Sequence, residues 1–325
     1  VTFSLQNKAT AQGAVTAQVQ AAIELSGVAV GSIAVVDLDV LSTAQYEVAN
    51  GYQPLLAIDP VFSVKSIRQS TPVSNSATNT VTVTLTSTTH QATAGSIVTI
   101  SGLAGSATGN APTLGLLPTS NALGGASGNA DTGAWTEAGT LLLTVASGGL
   151  TKGTAYEVTF ELTNPAGALT SPTVNVAATL KDGGVTVGTV VSVAMVKPDA
   201  ALHGVSNGAN PLLVVVPAFS VKSIEQSTPF VGAANTLTVT LTSNYDLADG
   251  STVTISGLTG SQTVDATLTG VTSTSSKMGT TGTWTQAGTL ILTAASGGPL
   301  VSDGAFEVTF SLQNKATAQG AVTAQ

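Results

Sequence analysis

Chemistry near neutral pH would fall to two histidines, His90 and His203, because the chain contains no cysteine. A general base needs an acid or a nucleophile within hydrogen-bond reach, and neither histidine lies in a G-x-S-x-G, P-loop or H-E-x-x-H context. His90 stands in a Thr-rich turn and aligns with Tyr245 of an internal sister sequence, while His203 aligns with Tyr46. With no paired acid or nucleophile, both read as exposed loop residues. Glu157 and Glu307 occupy equivalent places on outward faces of different repeats, which is no arrangement for a glycosidase-like carboxylate pair.

Calcium binds clustered oxygens, so Asn244, Asp246 and Asp249 in one turn, and Asp37 with Asp39 on one strand face, are the next candidates. Neither cluster recurs in its sister: Asp246 aligns with Gln91, Asp249 with Ala94, Asp37 with Ala194 and Asp39 with Val196. That excludes these residues as a metal site built into every repeat and leaves a solvated turn as their reading. Lys65 and Lys222 do recur, in the first strand of each repeat. A Lys–Asn isopeptide bond there would want a buried acid alongside, so they read as charged edge-strand residues that discourage wrong pairing. Arg68 and Glu225 put opposite charges at one position, either for complementary contacts along an array or as two solvated charges of little energetic weight. The rows Thr82, Thr84, Thr86 and Thr238, Thr240, Thr242 would need a second adjacent row to bind ice or glycans, and read as solvent-side strand residues. Trp135 and Trp284, at matching positions beside Gly-rich loops, could stack on a sugar and read as core plugs. No catalytic, cofactor-binding or metal-binding residue is assigned, no cofactor is expected, and the chain is not read as an enzyme.

The elements that would position such residues come from repetition. Val1–Gln18 returns letter for letter as Val308–Gln325, a period of 307 residues. A looser repeat lies inside it: Phe62–Ile67 returns as Phe219–Ile224 at an offset of 157, Trp135–Thr140 as Trp284–Thr289 at 149, and Ala155–Phe160 as Ala305–Phe310 at 150. The drift marks loop insertions, and fixed-period self-similarity signals an array. Within each copy the period is two. Val81, Val83 and Leu85 alternate with threonines, as do Leu237, Val239 and Leu241; Tyr156, Val158, Phe160 and Leu162 alternate with Glu157, Thr159 and Glu161, which are expected outward. Turn signals at Ala94–Ser96, Ser147–Gly149 and Lys181–Gly184 separate the strands. Ala9–Leu25 reads as loop then strand, and the Gly-, Ala- and Ser-rich run Asn110–Asp131 as the long loop. Short strands at such spacing predict a sandwich rather than a closed barrel.

Apolar residues make up 42% of the 325, enough for sizeable cores, whereas charged residues are only 8% and Ser plus Thr about a quarter. Surfaces so poor in charge suggest packing in an assembly, O-linked sugar, or both. A net charge of −8 with scattered Lys and Arg speaks against nucleic acid, and no apolar stretch is long enough to span a membrane. No asparagine begins an Asn-x-Ser/Thr sequon, so N-glycosylation is not expected.

The repeat style resembles the tandem Ig-like β-sandwich repeats of giant, Thr-rich extracellular fibre and adhesin-type proteins. That resemblance implies an all-β fold of tandem Ig-like antiparallel sandwiches, two sister modules per 307-residue period. Residues 1–61 would be the C-terminal part of one module and 62–218 a complete module. Residues 219–325 would be the N-terminal part of a second, completed by the equivalent of 19–61 from the next repeat. Gln325 corresponds to Asn175, so 219–325 lacks counterparts of Val176–Ala218, and an apolar sheet edge should be uncovered. The expected function is a structural unit of an extracellular filament, sheath or surface appendage, joined head to tail by a continuing chain or by donated strands. A continuing chain is favoured, since in donation the duplicated end segments compete for one slot. Prolines 54, 60, 211 and 217 should stiffen the joins. The alternative is the stalk of a cell-surface adhesin that binds glycans or other surface ligands. The expected partner is the chain itself, with O-linked glycans as decoration and an extracellular or cell-surface location.

Overall fold

The computed structural model describes residues 2–117, 123 and 132–325. Among these the chain is all-β, with several antiparallel sheets and no helix. β1 (Gln18–Leu25) and β2 (Val28–Asp37) form a hairpin that pairs with no other strand among the described residues. Its turn residues Ser26 and Gly27 have φ of 52° and 82°, the left-handed pair that matches the twist of a two-residue hairpin.

Nine strands follow as a first group: β3 (Phe62–Gln69), β4 (Asn79–Ser87), β5 (Ile97–Ser101), β6 (Ala111–Leu117), β7 (Thr132–Thr136), β8 (Thr140–Thr144), β9 (Ala155–Leu162), β10 (Asn175–Asp182) and β11 (Val185–Ala194). They run β11-β10-β5-β8-β7-β6-β9-β4-β3. β6 changes partner halfway: Ala111 and Leu114 face Trp135 and Gly133 of β7, while Leu116 and Leu117 face Phe160 and Thr159 of β9. The strand thus joins two sheets that close over one apolar core containing Val81, Val83, Leu85, Val98, Ile100, Trp135 and Phe160. The period-two alternation supplies this core directly, each strand sending every second side chain inward.

A second group repeats the plan: β12 (Phe219–Gln226), β13 (Ala234–Ser243), β14 (Thr252–Ile255), β15 (Ala266–Leu268), β16 (Thr272–Ser273), β17 (Met278–Thr285), β18 (Thr289–Ala294) and β19 (Phe306–Gln313). Two four-stranded sheets, β12-β13-β19-β16 and β14-β18-β17-β15, enclose Leu237, Val239, Leu241, Trp284, Val308 and Phe310. β15 pairs with β17 and β16 with β19, so the two short strands stand where the two halves of β6 stand.

Three expectations need correction. Asn110–Asp131 is not all loop: Ala111–Leu117 is β6, with Leu114 and Leu116 packed on the core beneath a Gly- and Ala-rich composition that hides their alternation. Leu123 is buried and bridges Val145, and the rest of that run, 118–122 and 124–131, lies outside the described residues. Thr159 is not outward but buried, because the end of β6 pairs beside it. His90 is not exposed, at 2% accessibility. Its Nδ1 lies 2.9 Å from Ser87 Oγ and 3.0 Å from Thr89 Oγ1, and its ring tilts against Phe62 at 6.4 Å.

Candidate functional site: two open strand edges

The two groups differ in what covers their outermost strands. In the first, β5 pairs with β8 on one side and β10 on the other, Ile100 facing Val176 and Val98 facing Ala178. Among the described residues, its counterpart β14 pairs only with β18. At the head of the open side, Ser256 and Gln325 exchange backbone hydrogen bonds of 2.6 and 2.8 Å, as Ser101 pairs with Asn175. Gly102 and Gly257, at φ of +92° and +82°, lie directly under the carbonyls of Thr173 and Thr323, where a Cβ would collide. The chain therefore arrives at both edges in the same way.

The second contrast lies along the first strands. The segment after β11 folds back on β3: Val196 bridges Ser66, Val196 N–H donates to Lys65 O at 2.8 Å, and Ile67 N–H to Val196 O at 3.0 Å. Further on, the buried Gln69 amide fixes the returning chain. Its Nε2 donates to Gly208 O and Leu213 O, both at 2.8 Å, and its Oε1 accepts from Leu212 N–H at 2.8 Å. Asn79 orients this amide, donating to Gln69 Oε1 and to Asn164 Oδ1 at 2.8 Å each, and Asn164 donates to Thr71 O and Val73 O. Buried amides are tolerable only when such needs are met. Leu212, at φ +53°, drives its side chain into the core with no exposure.

The same amides stand in the second group without that returning chain. Asn235 donates to Gln226 Oε1 at 2.9 Å and to Asn314 Oδ1 at 2.8 Å, and Asn314 donates to Thr228 O and Phe230 O. Gln226 is exposed, and among the described residues its Nε2 donates to nothing. Ile224 is 39% exposed where Ile67 is 1% exposed. Beside them runs a groove lined by Ile224, Gln226, Leu237, Leu258, Asn314 and Ala324. Sequence reasoning missed the Gln–Asn–Asn clamp. Its signal was there to find: Gln69, Asn79 and Asn164 match Gln226, Asn235 and Asn314 in the two copies.

Among the remaining candidates, three side chains of the second group hold the backbone in place. Asn244 Oδ1 accepts from Ala218 N–H at 2.7 Å, Asp246 Oδ1 from Ser302 N–H at 2.7 Å, and the Asp249 carboxylate from Gly297 and Gly298 N–H. Asp37 Oδ1 accepts from Gln18 Nε2 at 2.7 Å, and Asp39 is exposed. Among the described residues no three His, Cys, Asp or Glu side chains gather as a metal site. Lys65 and Lys222 donate to the carbonyls of Phe62 and Phe219. Arg68 and Glu225 are both exposed. Trp135 and Trp284 are buried, their Nε1–H groups donating to Thr108 O at 3.1 Å and Thr263 O at 3.0 Å, so neither offers a face to a sugar. His203 is exposed and stacks on Tyr245 at 5.4 Å. Burial lowers the pKa of His90 and raises that of Tyr245, and Tyr46 is raised by burial and by its hydrogen bond to Asp182. Glu157 and Glu307 lie on β9 and β19 of different groups. Among the described residues, no helix is long and apolar enough to cross a membrane. Set against known proteins, the chain matches no family model and no curated protein.

Proposed function

We propose that this chain is a structural repeat unit of an extracellular filament, sheath or surface appendage, in which tandem Ig-like β-sandwich modules follow one another head to tail. The observation that carries the reading is the pair of complementary faces: an open β14–β12 side on the second group, and a β1–β2 hairpin whose side chains are all exposed. Val19 is 46% exposed, whereas its counterpart Val176 in β10 is fully buried. A long open edge and an uncovered apolar strand are liabilities in a free protein and assets in an assembly. The contact is heterologous, one surface meeting a different one, so repetition extends head to tail, as an open array where the rotation does not close, rather than stopping at an isologous dimer. Residues 1–61, 62–218 and 219–325 are then the end of one module, a whole module and the start of another.

Negative-stain images of the native assembly test this. Ordered filaments with a constant axial repeat support it. Isolated flexible strings, with retention on a glycan array, would replace it with the adhesin-stalk reading. An intact polypeptide much longer than 325 residues would identify the join as a continuing chain, and its absence from a filament would identify strand donation.

A further inference from the structure

We infer that the open side of the second strand group is completed by Val19–Ile58 of a second copy of this chain, in one fixed register. Val19 stands opposite Ile255, Gln20 opposite Thr254, Ala21 opposite Val253 and Ala22 opposite Thr252, while Leu55 fills the groove beside Gln226. This rests on the head-to-tail reading above and specifies its joint.

The register comes from the closed group. β10 meets β5 with Val176 opposite Ile100, Ala177 opposite Thr99, Ala178 opposite Val98 and Thr179 opposite Ile97. The incoming hairpin already has the shape required. β1–β2 shows the pairing of β10–β11 residue for residue, with irregularities at the same two places: Val19/Ala21 and Ile23/Glu24 in one, Val176/Ala178 and Leu180/Lys181 in the other.

The segment after the hairpin is equally prepared. Tyr46, Asn50 and Leu55 have φ of 52°, 58° and 57°, against 52°, 56° and 53° for His203, Asn207 and Leu212. A leucine in the left-handed region is uncommon, and Leu212 shows its purpose, since there it reaches the core and offers its N–H to Gln69 Oε1. By the same correspondence, Leu55 N–H reaches Gln226 Oε1, and the exposed Gln226 Nε2, which donates to none of the described residues, meets Gly51 O and Leu56 O.

The segment's own chain does not use this face. Tyr46 O accepts from Gln91 N–H at 2.8 Å, and Glu47 accepts from Lys152 N–H, which holds the segment against the first group. The equivalent stretch after β11 is bivalent. It is clamped by Gln69 on one side, while His203 O accepts from Asp246 N–H at 3.0 Å and Gly204 O from Ser302 Oγ on the other. Residues 39–58 thus already make the forward half of a two-sided contact, and Gln226 presents the backward half. The repeated ends do not obstruct docking, because Lys8–Gln18 of the incoming copy are chemically identical to Lys315–Gln325 and can take over their places.

Since the chain has no cysteine, the register can be read by disulfide trapping in the full chain. Gln20 and Thr254 are both exposed, so the double variant Gln20→Cys/Thr254→Cys leaves each copy folded. Under mild oxidation it should give a ladder of disulfide-linked multimers on a non-reducing gel. The one-residue-slipped pair Ala21→Cys/Thr254→Cys places its thiols on opposite faces and should give at least about ten-fold less. Equal ladders from both pairs, or none from either, would overturn the register. Sedimentation of the unmodified chain separates the two levels. Assembly without the Gln20–Thr254 link sinks this joint and leaves the head-to-tail reading standing; a chain monomeric at every concentration with no ladder sinks the joint and donation together.

Discussion

The hairpins β1–β2 and β10–β11 are folded alike and buried unlike. They share register, irregularities and a left-handed two-residue turn, Ser26–Gly27 in one and Gly183–Gly184 in the other. Yet every β1 residue is exposed, whereas β10 buries Val176, Ala178 and Leu180 against β5 and the core. The duplicated ends show the reverse. Phe310 and Leu312 lie buried in β19 between β13 and β16, while the same residues as Phe3 and Leu5 belong to no strand, Phe3 at 74% exposure. A hairpin carries its partner across its own turn, so the same pairing recurs here with and without a neighbouring strand. A lone strand becomes one only between neighbours. Pairing within each of these hairpins is local, and burial depends on what stands alongside.

The sharpest way to break that comparison is to charge the same position in both hairpins. Val176→Asp buries a carboxylate with no partner, and should cost the first group about 4 kcal/mol or more. Val19→Asp should stay within about 0.5 kcal/mol in the isolated chain while abolishing assembly. Each group carries one of the two tryptophans, Trp135 or Trp284, so urea unfolding of single-Trp variants reports each group by itself. An equal loss from both substitutions would mean that β1 is already covered. Next in size, Leu212→Ala should cost about 3 kcal/mol by emptying a core position, against under about 1 kcal/mol for Leu55→Ala before docking.

These positions also show how far the sequence could be read. Val81, Val83 and Leu85, with Leu237, Val239 and Leu241, alternate cleanly, and all six are buried. β6 was hidden, because Gly115 and small neighbours dilute the alternation of Leu114 and Leu116, and because a strand that serves two sheets has no single face. His90 misled, since its Thr-rich setting looks like an exposed turn until Ser87 and Thr89 are seen to satisfy the ring from within. The clamp of Gln69, Asn79 and Asn164 joins residues scattered along the chain, at two strand ends and in the loop after β9, and such polar residues give no hint by themselves that they meet inside.

That clamp provides the next contrast. Asn79→Ala strips partners from Gln69 and Asn164 in a closed interior and should cost about 2–3 kcal/mol. Asn235→Ala makes the same deletion beside the exposed Gln226, where water can replace what is lost, and should cost about 1 kcal/mol less. Docking of a second copy should erase the difference, which urea titration at rising protein concentration would reveal. A difference that persists in the assembled state would show that Gln226 remains wet.

The smallest expected effect separates the groups by pH. Burial lowers the pKa of His90, and among the described residues its Nε2 has no partner. Ser87, Thr89 and Phe62 around the ring carry no charge to favour an imidazolium. The unfolded chain binds a proton as pH falls through about 6.5, before the folded chain does. Stability is therefore complete above that pH and declines below it, toward the lower folded value. Tyr245 fills the equivalent place in the second group, and burial raises its pKa further from this range. Acidification from about pH 7.5 to about pH 5 should thus lower the unfolding midpoint reported by Trp135 more than that reported by Trp284. His90→Tyr should flatten the first response toward the second, whatever it does to the midpoint at neutral pH. If the acid loss survives that substitution, it comes from carboxylates common to both groups, and the buried imidazole does not distinguish them.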